Sequence, residues 1–386
     1  MLHRKRHLDR VRDLLTRFPV VAILGARQVG KSTLASQIAT GFRGRVHRFD
    51  LELPENLNRL RDTTLALEPL RGLVVLDEIH RMPEIFPLLR VLADRPRTPA
   101  RFLVLGSASM NLLRQASESL AGRIAFHDMS GFDLSETGAD KVQRLWFRGG
   151  FPRSFTAKND VESWDWRSGF VRTFLERDMP QFGVRIPAPV MGRFWAMLAH
   201  VHGCEWNASE LASSFGVAHT TIRHYLDFLT ATFMVRQLRP WHESLAKRQV
   251  KSPKVYFADT GVLHYQLDIR NPEGLVTHPK AGLSWEGFAM EQVIARLGAE
   301  RRSCYFWATY GHAELDLMVT RGQEKHGFEF KLTAAPVMTR SMHIALADLK
   351  LDSLTLIHAG RDSWPMAPKV RAVALSRLLE DVKPLR

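Results

Sequence analysis

The sequence predicts an α/β chain in which a parallel sheet with crossover helices occupies the first third, a helical middle follows, and a second α/β region closes the C-terminal end. Five short apolar runs carry the first part of that reading: PVVAIL (19–24), RVHRFDL (45–51), LVVLDE (73–78), RFLVLGS (101–107) and RIAFHDM (123–129). Runs of this kind, separated by helix-length segments, are what a sheet buried on both faces requires. The first run opens straight into GARQVGKS and then the helical TLASQIA, a strand–loop–helix sequence. At 386 residues the chain is longer than one core usually organises, so several domains are expected: 1–140, a helical linker or lid over 141–189, 190–280 and 281–386.

Composition narrows the classes. Hydrophobic residues make up 45% and charged residues 24% of the chain, the balance of a folded protein, which excludes wholesale disorder. Lys and Arg number 54 against 40 Asp and Glu, a formal charge of +14. That surplus favours a polyanionic partner, nucleic acid ahead of a membrane surface. The basic N-terminal arm MLHRKRHLDRVRDLL is one place where it concentrates. The arm lacks the apolar core of a signal peptide, and no apolar run reaches the 18 or so residues of a membrane helix. Two cysteines, Cys204 and Cys304, are too few for a disulfide framework and suit a reducing compartment. A cytoplasmic chain without a membrane partner is expected.

The stretch Gly25-Ala26-Arg27-Gln28-Val29-Gly30-Lys31-Ser32-Thr33 completes the pattern G-x-x-x-x-G-K-[ST]. Its glycines permit the tight turns that aim backbone N–H groups at phosphate oxygens at a helix N-terminus. Lys31 would reach the β- and γ-phosphates and Ser32 would ligate Mg²⁺, so ATP and Mg²⁺ are the expected cofactors. Asp77 and Glu78 end a buried strand. Asp77 is positioned to hold the Mg²⁺ shell, and Glu78 to orient or deprotonate the attacking water. Ser107, at the end of LVLGS, could sense the γ-phosphate. Arg123 or Arg114 could act as an arginine finger across a subunit interface.

GARQVGKSTL, LVVLDEIHRMP, VLGSAS with SLAGR, FRGGFP and FLERD together resemble the bacterial AAA-type ATPases that carry a C-terminal domain of uncharacterised function, the DUF4143 class. The resemblance spans nearly the whole chain. It implies a AAA-like P-loop ATPase module with Lys31, Asp77, Glu78 and Ser107 in the roles just described.

In the middle, NASELASSFGVAHTTIRHYLDFL (207–229) reads as two helices around a short turn. Asn207 caps the first, Gly216 ends it, and Thr220 is expected to cap the second. Ile222, Leu226 and Leu229 share one face, away from Arg223, His224 and Asp227. FMVRQLRP then reads as the first strand of a wing. The pattern is that of a winged helix-turn-helix, with Thr220, Thr221, Arg223 and His224 at the presenting end of the second helix. Residues 236–254 carry Arg236, Arg239, Lys247, Arg248, Lys251 and Lys254 against a lone Glu243. Such a run suits phosphate contacts, although a winged helix can equally bind protein and the run can equally be a solvated loop.

The amphipathic helix LSWEGFAMEQVIARL precedes three strand-like runs, CYFWAT, ELDLMV and GFEFKL. Alternation puts Glu314 with Asp316, and Glu329 with Lys331 and Thr333. With RGQEKHG as the turn, a hairpin would bring Asp316 to Glu329 and Lys331, and Glu286 on the helix could add a carboxylate. Such a cluster suits a Mg²⁺-dependent phosphodiesterase. Asp316…Glu329-x-Lys331 resembles the PD-(D/E)xK nuclease fold, with Leu315 in place of the usual proline. An exposed charged sheet face, or a nuclease fold kept as a DNA clamp, explains the same residues.

The expectation is an ATP-driven machine acting on nucleic acid, DNA first, as a homo-oligomer that could be a hexameric ring. Its rivals are a metal-dependent nuclease switched by ATP and a regulatory ATPase whose winged helix binds protein.

Overall fold

The computed structural model describes residues 2–97, 100–106, 118–182, 186–242, 252–309 and 313–385. The chain forms two compact units. One runs to Gly131 and takes in Ala231–Phe233; the other holds Phe132–Thr230 and the chain from Met234 onward.

The first unit is built on the five apolar runs. They form β1 (Val20–Leu24), β2 (Val46–Asp50), β3 (Gly72–Asp77), β4 (Ala100–Gly106) and β5 (Ile124–Asp128). All pair in parallel, in the order β2-β3-β4-β1-β5. Every residue of β1 is buried, as a strand covered on both faces must be. Val20, Ala22, Val74, Leu76, Phe102 and Val104 fill one core cluster of this unit. Parallel pairing aligns the strand ends, so the loops after β1 and β3 leave the sheet on the same edge.

Helix α1 (Lys5–Arg17) precedes β1 and turns His7, Val11, Leu14 and Leu15 inward. The His7 ring meets the His127 ring of β5, with Nδ1 and Nε2 2.8 Å apart. Arg4, expected within a basic arm free to meet DNA, is buried instead. It donates to the carbonyls of Val29, Ser130 and Gly131, each at 2.9 Å.

The second unit opens with the helices of the 141–189 region. They include Val142–Arg148 and α3 (Asp160–Thr173), which is capped by the Asn159 side chain accepting from Glu162 N; α2 (Lys31–Thr40) belongs to the first unit. Aromatic side chains pack at a tilt along this path, Phe151 against Phe170 and Phe174 against Trp195. Helices α4 (Ala188–His200), α5 (Ala208–Phe215) and α6 (His219–Ala231) follow. Asn207 Oδ1 accepts from Ser209 N and Glu210 N, and Gly216 is left-handed at φ 64°. Thr220 is not the cap of α6. The carbonyl of Ala218 accepts from Thr221 and Ile222, so the helix starts at His219 and Thr220 lies in its first turn.

Strand β6 (Val235–Pro240) pairs antiparallel with β7 (Lys254–Phe257) and, at Arg239–Pro240, parallel with β8 (Cys304–Ala308). The strand expected to stand in a separate wing is thus part of the C-terminal sheet. That sheet continues through β9 (Glu314–Arg321), β10 (Glu324–Lys331), β11 (Ser353–His358), β12 (Trp364–Ala367) and β13 (Val370–Ala374), in the order β12-β13-β11-β10-β9-β8-β6-β7. β9 and β10 form the expected hairpin, but its turn is shorter than RGQEKHG. Arg321 pairs with Glu324, and left-handed Gly322 with Gln323 makes the reversal. Helix α7 (Ala281–Leu297) packs against β10. No helix among the described residues is long and apolar enough to cross a membrane.

The two-histidine contact makes a pH-dependent prediction. Burial, together with Arg6, Arg10 and Arg4, lowers His127 from 6.5 to about 4, and burial lowers His7 further. Folded His127 therefore stays neutral where the unfolded side chain takes up a proton. Stability is full above the unfolded value and is lost as pH falls toward the folded one, by up to about 1.4 kcal/mol per unit. Scanning calorimetry between pH 7 and 4.5 should record this decline, and His127→Gln should make it shallower, leaving the share that belongs to His7; superimposable curves would remove the assignment.

Candidate nucleotide site and carboxylate cluster

The loop Gly25–Gly30 leaves the end of β1 and delivers Lys31 as the first residue of α2. Its reversal needs two left-handed residues, Gln28 at φ 64° and Gly30 at φ 99°. Gly25 has no room for a side chain, since a Cβ there would lie 2.2 Å from the Met129 carbonyl oxygen. Lys31 is buried and donates to the carbonyls of Gly25 at 3.0 Å and Ala26 at 2.9 Å. Ser32 and Thr33 are exposed at the start of α2. Arg27 turns away to an ion pair with Glu52.

Asp77 ends β3, and the Ser32 hydroxyl donates to its carboxylate. Burial nonetheless raises the Asp77 carboxyl above its ordinary range. Glu78 follows in a left-handed conformation, φ 55°, which turns its side chain out of the strand's alternation. Its Oε2 lies 3.1 Å from His80 Nδ1. Burial opposes ionisation of Glu78, but His80, Lys31 and Arg27 together hold its carboxyl below the usual range. Ser32 and Asp77 offer two converging oxygens at an open edge, which fits an octahedral Mg²⁺ that keeps most of its ligands from phosphate and water.

Ser107 and Arg114 lie outside the described residues. Arg123 precedes β5, and its carbonyl accepts from Val20 N at the start of β1. It is therefore at the opposite edge of the sheet from its own loop, about 15 Å along a five-residue strand. There it forks onto Asp94, Nε to Oδ1 at 2.6 Å and Nη2 to Oδ2 at 2.9 Å.

The second unit brings Glu286, Glu314, Asp316, Glu329 and Lys331 together. Asp316 Oδ2 accepts from Phe330 N at 3.0 Å, and Lys331 Nζ is 3.2 Å from Glu329 Oε2. Burial and the neighbouring Asp316 push Glu329 well above the carboxylate range. Two residues join them that the sequence assigned elsewhere or passed over. Lys254, expected to face phosphates, is 6% exposed, pairs with Glu314, and lies 3.8 Å from Glu286 Oε1. Its burial and its pairing remove it from any surface contact. Tyr256 donates its hydroxyl to Glu286 Oε1 at 2.6 Å.

On α6, Ile222, Leu226 and Leu229 are buried, Thr220, Arg223 and His224 exposed, and Thr221 half-buried. Arg236 is held by Glu291, Nη2 to Oε2 at 2.8 Å. Lys247, Arg248 and Lys251 lie outside the described residues.

Comparison with known proteins accords with this geometry. An AAA domain model matches residues 17–138, and two domains of unknown function match 139–273 (DUF8612) and 281–378 (DUF4143). An uncharacterised protein of Mycobacterium tuberculosis is 47% identical over 379 residues, 98% of this chain and 85% of that protein. The chain belongs to the AAA-type ATPases with a C-terminal DUF4143 domain. An uncharacterised Mycobacterium bovis protein matches this AAA–DUF4143 chain to the same extent. Among solved structures, a Walker-type ATPase of Pyrococcus abyssi shares the fold. Its TM-score is 0.51 at 15% identity, covering 69% of this chain and 96% of that one.

Sequence reasoning passed over Arg4 and His80. His80 could have been found, two residues after Glu78 in a turn too tight to separate them. Nothing in the sequence links Arg4 to Val29. In this AAA–DUF4143 protein the Arg4 guanidinium holds the carbonyl of Val29, inside the phosphate loop. Arg4→Ala is expected to weaken binding of a fluorescent ATP analogue roughly tenfold, since a hydrogen bond from a charged group contributes about 1.5–3 kcal/mol. Arg6→Ala, on the exposed face, should stay within about twofold of the parent; equal affinities for Arg4→Ala and the parent would disprove the bracing role.

Proposed function

We propose that this protein binds Mg-ATP at Gly25–Thr33, hydrolyses it, and uses the cycle to grip and remodel nucleic acid, DNA in the first instance. The observation that carries the ATPase reading is the joining of Ser32 to Asp77 beside a Glu78 held ionised by His80 and Lys31. Lys31 would exchange the Gly25 and Ala26 carbonyls for phosphate oxygens. Mg²⁺, held by Ser32 and Asp77, would neutralise charge on the β- and γ-phosphates. Glu78, an ionised carboxylate at the end of β3, would accept a proton from the attacking water. Arg123, remote from its own loop, would serve as a finger only in a neighbouring subunit's site, so the active form would be a homo-oligomer such as a hexameric ring.

The nucleic-acid reading rests on α6. Thr220, Arg223 and His224 are free to meet a groove because Ile222, Leu226 and Leu229 anchor the opposite face. The β6–β7 pair that follows runs on into the C-terminal sheet rather than a free wing, and the meeting of Asp316 with the Glu329–Lys331 segment through Phe330 N supports a nuclease-like C-terminal fold used as a grip. Of the four basic residues after β6 first assigned to phosphate contact, Lys247, Arg248 and Lys251 keep that role in this reading; Lys254, buried and paired, does not.

Steady-state ATPase assays with duplex, single-stranded, forked and four-way DNA should reveal stimulation, abolished by Lys31→Ala and by Glu78→Gln. Arg223→Ala should weaken binding to all sequences alike and lower the slope of log K against log salt by about 1. ATP turnover indifferent to every DNA, with no binding at low salt, would defeat the nucleic-acid reading and leave the ATPase reading standing.

A further inference from the structure

A divalent ion in the C-terminal sheet would have to sit among Glu286, Glu314, Asp316 and Glu329, and lysine ammonium groups already face three of these carboxylates. Glu286 Oε1 accepts the Tyr256 hydroxyl at 2.6 Å and faces the Lys254 ammonium at 3.8 Å. Glu314 Oε1 is paired with the same ammonium. Asp316 Oδ2 accepts from Phe330 N, and the Lys331 ammonium stands 3.2 Å from Glu329 Oε2, which accepts no hydrogen bond among the described residues. Mg²⁺ needs oxygens converging at about 2.0–2.1 Å in near-octahedral array, and a buried ammonium already stands between Glu286 and Glu314, so the residues do not fit it.

The cation that is present comes from the sheet itself. Lys254 starts the edge strand β7, and its side chain crosses toward β9 with Nζ 5.6 Å from the Phe306 ring centre on β8. The ammonium ends between a helix carboxylate, Glu286, and a strand carboxylate, Glu314. Its side chain is 7% exposed. Moving it aside for a metal would strand a buried charge against an aromatic wall, which costs several kcal/mol.

We propose that Lys254 is the resident cation of this cluster, that its ammonium stands where a nuclease would hold its metal, and that the C-terminal sheet binds no divalent ion and cleaves no phosphodiester. The balance of charge is consistent with this. Burial works against the Lys254 ammonium, but Glu286, Asp316 and Glu314 outweigh burial and hold it charged. Lys331 is likewise held charged by Asp316 and Glu329 against its burial. Two ammonium groups thus stand against four carboxyl groups without a metal. In this state the cluster is a bolt between α7, β7, β9 and β10, and the domain grips without cutting.

The test uses the full-length protein without nucleotide, carrying Asp77→Asn so that the first unit contributes no metal site. Free Mn²⁺ is followed by electron paramagnetic resonance during titration. No saturable site is expected in this protein. Lys254→Met should acquire one Mn²⁺ site, bound at least about a hundredfold more tightly, the scale set by removing one partner of a buried pair. Stoichiometric Mn²⁺ uptake that Lys254 tolerates and Asp316→Asn abolishes would overturn the proposal. So would a folded Lys254→Met protein with no affinity for Mn²⁺. If Lys254→Met does not fold, Lys254→Met with Glu286→Gln removes charge of both signs and should recover a cooperative melt; its failure to do so would refute the pairing. These readouts are independent of ATP turnover, so the inference and the ATPase reading fail separately.

Discussion

Lys31 donates to the carbonyls of Gly25 and Ala26, and this contact governs the shape of the first unit. A loop built to face phosphate turns its N–H groups outward, which leaves carbonyls pointing inward with no helix or strand to accept them. A buried ammonium is the group that can satisfy two of them at once. Arg4 donates likewise to Val29 in the loop and to Ser130 and Gly131 after β5. The loop between β1 and α2 is thus braced by two buried cations. The left-handed residues Gln28 and Gly30, and the absence of a Cβ at Gly25, are conditions of that arrangement.

The same economy of charge recurs in the second unit with the signs exchanged. There the buried groups are carboxylates, gathered by the register of β9 against β10 and by one turn of α7, and the compensating ammonium groups come from β7 and β10. A sheet that brings acids together must bring cations with them, because unpaired ions are not tolerated at such burial. Mixed pairing is what makes this possible. Antiparallel β8–β9–β10 fixes the acids, and the parallel contact of β6 with β8 carries β7 close enough for Lys254 to reach them.

What the sequence conveyed depended on range. Strands β1 to β5 were legible because each is a continuous apolar run, and Gly25–Thr33 because a phosphate loop is encoded in adjacent residues. Asp316, Glu329 and Lys331 were legible because strand alternation and one hairpin relate them. Lys254 was misread. In a run of lysines and arginines nothing local distinguishes the one that is paired from those that are solvated; its partners lie 32 and 60 residues away and are reached only through sheet order. Thr220 was misread for a smaller reason, a helix that begins at His219, two residues earlier than a Thr220 cap requires, on the carbonyl of Ala218. Arg4 lay beyond any pattern, since its acceptors are backbone carbonyls that carry no residue identity.

Strand β6 has a mechanical consequence. Three residues separate it from α6, and it is hydrogen-bonded to both β7 and β8, so α6 is joined to the eight-stranded sheet by a short connection. A displacement applied to the second unit would carry the exposed face of α6 and the far edge at β12 through the same rotation. The reach of Arg223 relative to the sheet is then limited by a connection of three residues rather than by a long linker.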